Sequence, residues 1–217
     1  MTVVTEIPPL LDDQQHIVLE GMSWDFYERL LRDIGARRVF VTYDEGRIEI
    51  MSPLPEHEYW STIIERLIQT LTLELDMPIA SLGSTTFKKK TAAKGLEPDD
   101  CFYLQNESRI RGKRRLDLRR DPPPDLAIEI DITHLSIPKR PIYAALRVPE
   151  IWHFDGERLT CLHLRGKDYR PSANSLAFPF LRIVDVEPFL KMMPEKGENP
   201  TVRAWIEWIR RELKGKL

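Results

Sequence analysis

The run LAIEID at residues 126–131 sets the strictest condition on the fold, because it combines an apolar strand with two acidic side chains. Side chains alternate between the two faces of a strand. One face therefore carries Leu126, Ile128 and Ile130, and the other carries Ala127, Glu129 and Asp131. An ionised carboxylate buried in a sheet must be paired, hydrogen-bonded or bound to a cation. The fold must therefore bring a partner to Glu129.

A second acidic pair precedes another apolar run. Asp99 and Asp100 follow Pro98 and come directly before residues 101–104. Two carboxylates from neighbouring strands, together with a backbone carbonyl and water, make an oxygen site suited to Mg²⁺ rather than zinc. The spacing equally allows Asp99 to be a turn or capping residue and Glu129 to pair with an arginine. Both interpretations stay open at this point.

The other patterns predict a mixed α/β fold. Residues 38–52 read as a hairpin around a turn at 44–46, and Ile48 and Ile50 alternate with polar neighbours, which predicts one solvated face. Between residues 56 and 75 apolar side chains recur every three or four positions, which indicates a long helix.

The same periodicities predict the remaining, shorter elements. They are a strand-rich stretch at 79–104, a short helix at 140–146, a second hairpin at 150–164 and a closing helix at 201–213. A chain of 217 residues can bury one sizeable core and is short for two ordinary domains. We therefore expect a single domain over residues 1–217.

Composition limits the compartment and the partners. Lys and Arg number 32 against 34 Asp and Glu, so net charge gives no reason to expect avid nucleic-acid or membrane-surface binding. Cys101 and Cys161 are sixty positions apart, which excludes a C-x-x-C pair and a disulfide framework. Residues 1–13 lack the pattern of a signal peptide, and charges interrupt every apolar run. We expect a cytoplasmic protein that does not enter a membrane.

Several familiar site motifs are missing from the sequence. It contains no G-x-x-x-x-G-K-[ST] loop, no G-x-G-x-x-G and no G-x-S-x-G. His57 and Glu58 begin like H-E-x-x-H, but Ser61 stands at the position of the second histidine. In the second hairpin, pairing of residues 155 and 158 places His153 and His163 on opposite faces, so these two would not share a metal.

A strongly basic segment lies between the two acidic motifs. Residues 109–120 carry seven basic side chains and one acid. If both motifs meet at one sheet edge, this segment starts and ends near them and can follow a phosphate backbone. It has no aromatic residue for base stacking, so it would position nucleic acid without reading sequence. A solvated loop that balances acidic neighbours is the alternative. The candidate contacts are Arg111, Lys113, Arg114 and Arg115.

An ordered series of motifs resembles the Uma2 family of restriction-endonuclease-like proteins. The series is M-S-P at 51–53 with His57, E-P-D-D at 97–100, P-D-L-A-I-E-I-D at 124–131, Lys139, Tyr143 and V-P-E-I-W-H-F-D at 148–155. The resemblance covers residues 20–185. It implies the PD-(D/E)XK nuclease fold: an α/β fold whose mixed central sheet is flanked by helices, here with an N-terminal β-hairpin and a C-terminal helix.

The resemblance also implies roles for individual residues. Asp99 and Glu129 match the two acidic positions that would hold Mg²⁺, or Mn²⁺ in its place. The usual lysine position, two residues after Glu129, is occupied by Asp131, and Lys139 matches the displaced lysine of the family. His57 shares a helix stripe with Trp60 and Ile64, so it should face the sheet as an additional ligand or an orienting group.

These roles lead to three functional hypotheses. The first is a metal-dependent endonuclease that hydrolyses phosphodiester bonds, with DNA as the expected partner. The second is a weak or inactive relative that binds nucleic acid or protein, because lysine is missing at position 131. The third makes the carboxylates part of a structural ion-pair network. The closing helix with Trp205 fits either a homodimer interface or the chain's own core.

Overall fold

The structure is a computed structural model that describes residues 16–35, 39–132 and 137–213. Residues 1–13 and residue 38, the start of the first predicted hairpin, lie outside these ranges. The strands are β1 (His16–Leu19), β2 (Phe40–Asp44), β3 (Arg47–Met51), β4 (Ala80–Ser81), β5 (Phe87–Lys89), β6 (Lys94–Leu96), β7 (Asp100–Tyr103), β8 (Leu126–Ile130), β9 (Glu150–Phe154), β10 (Leu159–Arg165) and β11 (Asp168–Ser172). The helices are α1 (Trp24–Ile34), α2 (Pro55–Glu74), α3 (Glu107–Ile110), α4 (Lys139–Leu146), α5 (Glu187–Lys196) and α6 (Glu198–Glu212).

A six-stranded mixed sheet contains the LAIEID segment. Its strand order is β11-β10-β9-β8-β7-β4, and β8 runs parallel to β9 and antiparallel to β7. The expected alternation in β8 is confirmed: Leu126, Ile128 and Ile130 pack with α2, and Ala127 packs with α4 on the other face. The second hairpin has the predicted register, with Thr160 opposite His153. This sheet, flanked by helices, is the expected mixed central sheet.

The first hairpin belongs to a second sheet, which the sequence patterns did not reveal. Five antiparallel strands follow the order β1-β3-β2-β6-β5. The hairpin β2–β3 is confirmed, and its two-residue turn has positive φ at Glu45 and Gly46. The expectation of one solvated face is wrong, because Glu49 is only 3% exposed. The hairpin is covered on both faces. Helix α1 packs over Val41, Tyr43 and Ile48 on one face, and on the other Phe40 contacts His57 and Glu49 accepts from the Ile137 N–H.

Helices α2 and α6 cover one face of the mixed sheet. That face carries the even-numbered residues of β8 (Leu126, Ile128 and Ile130) and of β9 (Trp152 and Phe154). The long predicted helix is confirmed as Pro55–Glu74, and His57, Trp60 and Ile64 are buried along one stripe as expected. In α6, the Trp205 indole N–H donates to the Leu67 carbonyl at 2.9 Å, and the ring is 1% exposed. Burial within the chain accounts for this apolar stripe, and a homodimer stays a prediction.

Helix α4 joins the two sheets. Its residues Ile142 and Tyr143 share one buried cluster with Phe87 and Leu96 of the five-stranded sheet and Ile151 of the mixed sheet. A continuous core between the sheets fits the expected single domain, which nevertheless stays a prediction. None of the helices in the described ranges has the length and apolar character needed to cross a bilayer.

Candidate active site

Four of the sequence-predicted residues meet in one buried cluster, which we call the acidic site. They are His57 in the first turn of α2, Asp99 just before β7, Glu129 in β8 and Lys139 at the start of α4, and their exposed fractions are 2%, 7%, 5% and 7%. Pairing of β7 with β8 brings the two acidic motifs side by side, and the Ile130 N–H donates to Asp99 Oδ2 at 2.6 Å. The two acidic motifs therefore lie next to each other at paired strands.

The partner required by Glu129 is the ammonium of Lys139. Lys139 Nζ donates to Glu129 Oε2 at 2.7 Å, and it lies 3.8 Å from Asp99 Oδ1. The Tyr143 hydroxyl donates to the other Glu129 oxygen. Lys139 and Tyr143 are four positions apart on α4, so they lie on the same face of the helix and both reach β8. The displaced lysine thus returns to the acidic site, as the family pattern implies.

Asp99 has one satisfied and one unsatisfied oxygen. His57 Nε2 lies 3.1 Å from Asp99 Oδ2, the same oxygen that accepts from Ile130. Among the residues described, Asp99 Oδ1 and His57 Nδ1 have no hydrogen-bond partner, although both are buried. Unpaired buried polar atoms are uncommon and often mark a bound water or ion. The acidic site therefore has free ligand atoms.

Burial and charge set the protonation of this cluster. Burial raises the pKa of Glu129 to about 7, with Lys139 opposing the rise and Asp99 adding to it. Burial acts to lower the pKa of Lys139, but the two carboxylates outweigh it and raise that pKa. Lys139 and His57 bring the pKa of Asp99 below its usual value despite burial. Burial acts to lower the pKa of His57, but the hydrogen bond and the charge of Asp99 outweigh it, so the pKa of the imidazole is raised.

Two further carboxylates that the sequence interpretation missed lie around Lys139. Glu49 on β3 accepts from the Ile137 N–H at 3.3 Å, and its charge raises the pKa of Lys139. Glu97 accepts from the Val41 N–H at 3.0 Å. Burial raises the pKa of Glu97, and the charge of Lys139 partly offsets that rise. Glu49 was assigned to a solvated face, so only knowledge of the second sheet could have found it. Glu97 opens the E-P-D-D motif, which was the available signal.

Asp131, at the usual lysine position, points to a different partner. Its Oδ2 lies 3.3 Å from His153 Nε2. Both residues line an open cleft of about 510 Å³ together with Glu129 and Lys139. This cleft gives solvent and small groups a route to Glu129 and Lys139. His153 and His163 lie on opposite faces of the sheet, as predicted.

The basic segment is only partly free to bind anions. Arg111 pairs with Glu107 at 2.6 Å, and Lys113 pairs with Asp121. Arg114 and Arg115 are exposed and form no ion pair with any residue in the described ranges. Arg115 also lines a groove of about 510 Å³, here called the basic groove, whose other cations are Lys88, Lys89, Lys90 and Arg119. The lysine run at 88–90, at the end of β5, is a contribution that the sequence interpretation missed.

The fold and the acidic site define a class of protein. A mixed sheet flanked by helices, with Asp99 and Glu129 on adjacent strands and a lysine between them, is a restriction-endonuclease-like α/β architecture. The family model for Uma2, described as "Putative restriction endonuclease", matches residues 24–193. The chain therefore belongs to the Uma2 family, which supports a nuclease-like function. A search of curated proteins found no match.

We expect Lys139→Met to destabilise the fold by about 3–5 kcal/mol, because removal of one partner leaves buried carboxylates without their cation. Arg140→Met is the matched control, since Arg140 is the exposed neighbour on the same helix, and its effect should stay within about 0.5 kcal/mol. Urea unfolding followed by circular dichroism measures both. Equal stability of the two variants would contradict a stabilising role for the Lys139 ammonium.

Proposed function

We propose that the protein is a Mg²⁺-dependent endonuclease that hydrolyses phosphodiester bonds in DNA. One observation carries the proposal: the carboxylates of Asp99 and Glu129 converge on Lys139 Nζ in a buried site that also opens to a cleft. Membership of the Uma2 family supports the nuclease class. The metal and the DNA substrate are the parts that we add.

The residues at the acidic site fit a hard divalent cation. Asp99 Oδ1 has no hydrogen-bond partner among the described residues, and Glu129 contributes a second carboxylate beside it. Carboxylate oxygen ligands suit Mg²⁺ or Mn²⁺. When bound by Asp99 and Glu129, such a cation supplies a more acidic water and polarises the scissile phosphate.

The protein's own side chains supply the rest of the chemistry. Lys139 and Glu129 line the same cleft, so a phosphate that enters it meets the Lys139 ammonium, which offsets the negative charge that develops during hydrolysis. Tyr143 fixes the Glu129 carboxylate from the opposite side. His57 holds Asp99 in place from α2, and the second ring nitrogen of His57 remains available to a water or to the substrate.

The basic groove and Arg114 are the proposed contacts to the DNA backbone. Arg114 and Arg115 form no ion pair with the residues that the structure describes, whereas Arg111 and Lys113 are paired and contribute less. Release of counterions from DNA makes such contacts sensitive to salt. With a net charge of −2, binding should depend on this local charge rather than on the whole protein. A cytoplasmic location and a homodimer complete the proposal.

A second function is favoured by one specific observation. Asp131 replaces the usual lysine and is engaged with His153, while Lys139 is held by Glu129 in a tight buried pair. A protein with this arrangement could bind nucleic acid without cutting it. Cleavage assays decide between the two functions, because only the first requires turnover in Mg²⁺ or Mn²⁺.

Glu129→Gln should lower the rate of plasmid or single-stranded DNA cleavage at least about 10²-fold, since it removes one charge that organises the reacting groups. Glu157→Gln is the matched control, because Glu157 is exposed and outside the acidic site. The assay compares purified proteins in Mg²⁺, in Mn²⁺ and with a chelator. Cleavage that survives Glu129→Gln or the chelator would refute the proposed site.

Substitution of both Arg114 and Arg115 by serine should weaken DNA binding and reduce the slope of log affinity against log salt by roughly 2, one for each lost phosphate contact. The control removes the same charge elsewhere, at the exposed Arg165, which ends β10, and Lys167, in the turn that follows. Fluorescence anisotropy over a series of salt concentrations measures both slopes. Identical slopes in the two double variants would show that the basic groove does not contact DNA.

A further inference from the structure

A second cluster of ligand-type side chains lies on the opposite face of the mixed sheet from Glu129. Glu150 on β9 is the register partner of His163 on β10, and Cys161 is two residues from His163 on the same strand. The two β10 side chains therefore share one face and lie next to Glu150. Glu150 and Cys161 are fully buried, and His163 is 5% exposed.

The ligand atoms of this cluster have the spacing of a metal site. Cys161 Sγ lies 3.3 Å from Glu150 Oε1, His163 Nε2 lies 4.0 Å from Glu150 Oε2, and the three ligand atoms all lie within 4.8 Å of one another. A tetrahedral zinc ion with bonds of about 2.0–2.3 Å requires neighbouring ligand atoms roughly 3.3–3.8 Å apart. Small side-chain shifts suffice to reach that geometry.

His163 gives the independent sign of a missing ligand. In the part of the chain that the structure describes, its Nε2 has no hydrogen-bond partner, although the ring is buried and this nitrogen faces Glu150. A buried polar atom without a partner calls for an explanation such as an ion. A neutral imidazole nitrogen with a free electron pair is the form that binds zinc.

Glu150 is held in place by surrounding donors. Its Oε1 accepts from Trp152 Nε1 at 2.6 Å and from Ser175 Oγ at 2.7 Å, and its Oε2 accepts from the N–H groups of Leu176 and Ala177. Such outer hydrogen bonds orient ligands in metal sites. The Cys161 thiol adds a donor to Oε1, and that proton is the one that a metal would displace.

We propose that Glu150, Cys161 and His163 bind a zinc-type transition metal ion, in addition to the proposed Mg²⁺ site. Thiolate and imidazole ligands suit Zn²⁺ and disfavour Mg²⁺. The ion takes the place of the thiol proton, which leaves to solvent, so one cysteine thiolate and one glutamate carboxylate balance the two positive charges. Cys161 also lines an open cavity with Trp60, Ser172 and Ala173. The ion would tie β9 and β10 to residues 175–177 through Glu150.

Cobalt(II) is the probe for this site, because a cysteine thiolate bound to Co²⁺ gives a near-ultraviolet charge-transfer band. We expect the full-length protein, freed of metal by a chelator, to bind one Co²⁺ with this band, to lose the band when Zn²⁺ is added, and to release about one proton per ion. Absence of the band or of the proton in the unmutated protein overturns the proposal, and this result does not depend on any variant folding.

Variants assign the band to its ligands. Cys161→Ser should abolish it, and His163→Gln should weaken Co²⁺ binding at least tenfold. Cys101→Ser is the matched control, because Cys101 is the other buried cysteine and its thiol contacts the Gly83 carbonyl instead. A band that survives Cys161→Ser overturns the proposal, as does one that disappears in Cys101→Ser. Asp99→Asn should retain the band, which separates this site from the proposed nuclease site.

Discussion

The fold depends on one buried ammonium between carboxylates. Lys139 starts α4, the helix that joins the two sheets, and its Nζ contacts Glu129 at 2.7 Å and Asp99 at 3.8 Å. Glu49, on the five-stranded sheet, also raises the pKa of Lys139. Removal of one member of a buried ion pair leaves an uncompensated charge, so the fold requires this lysine. The proposed divalent cation would be held by the same two carboxylates, Asp99 and Glu129, so stability and proposed function rest on one arrangement.

The sequence predicts the elements whose patterns are local. The long helix, both hairpins and the alternation of LAIEID follow from periodicity, and the structure confirms them. Helices α1 and α5 and strand β1 were not predicted, and neither was the separate five-stranded sheet. Pairing of β1 with β3 and of β6 with β2 joins segments that are distant in the chain, and no local period records such contacts. The buried position of Glu49 depends on that pairing, which explains why its solvated assignment failed.

At the acidic site, too, some features follow from the sequence and others depend on contacts between distant segments. Pairing of β7 with β8 brings Asp99 and Glu129 together, and the family resemblance implies that Lys139 returns to them. Local patterns do not specify the Tyr143 contact or the unpaired Asp99 Oδ1, because both depend on side-chain packing between α4, α2 and β8. Glu150, Cys161 and His163 likewise meet only through strand register. A count of charges along the basic segment gives too many cations that are free to bind DNA. Three of them, Arg111, Lys113 and Arg119, pair with Glu107, Asp121 and Asp117.

The most direct test is a calorimetric titration of the unmutated protein and of two neighbouring variants with Mg²⁺ and with Mn²⁺. The account predicts binding at one site that is lost in Asp99→Asn and retained in Asp100→Asn, because the Asp100 carboxylate accepts from the N–H of Cys101 rather than facing Lys139. Unfolding curves without metal establish that both variants are folded. Absence of binding in the unmutated protein, or equal binding in a folded Asp99→Asn protein, would contradict the assignment of the acidic site as a divalent-metal centre.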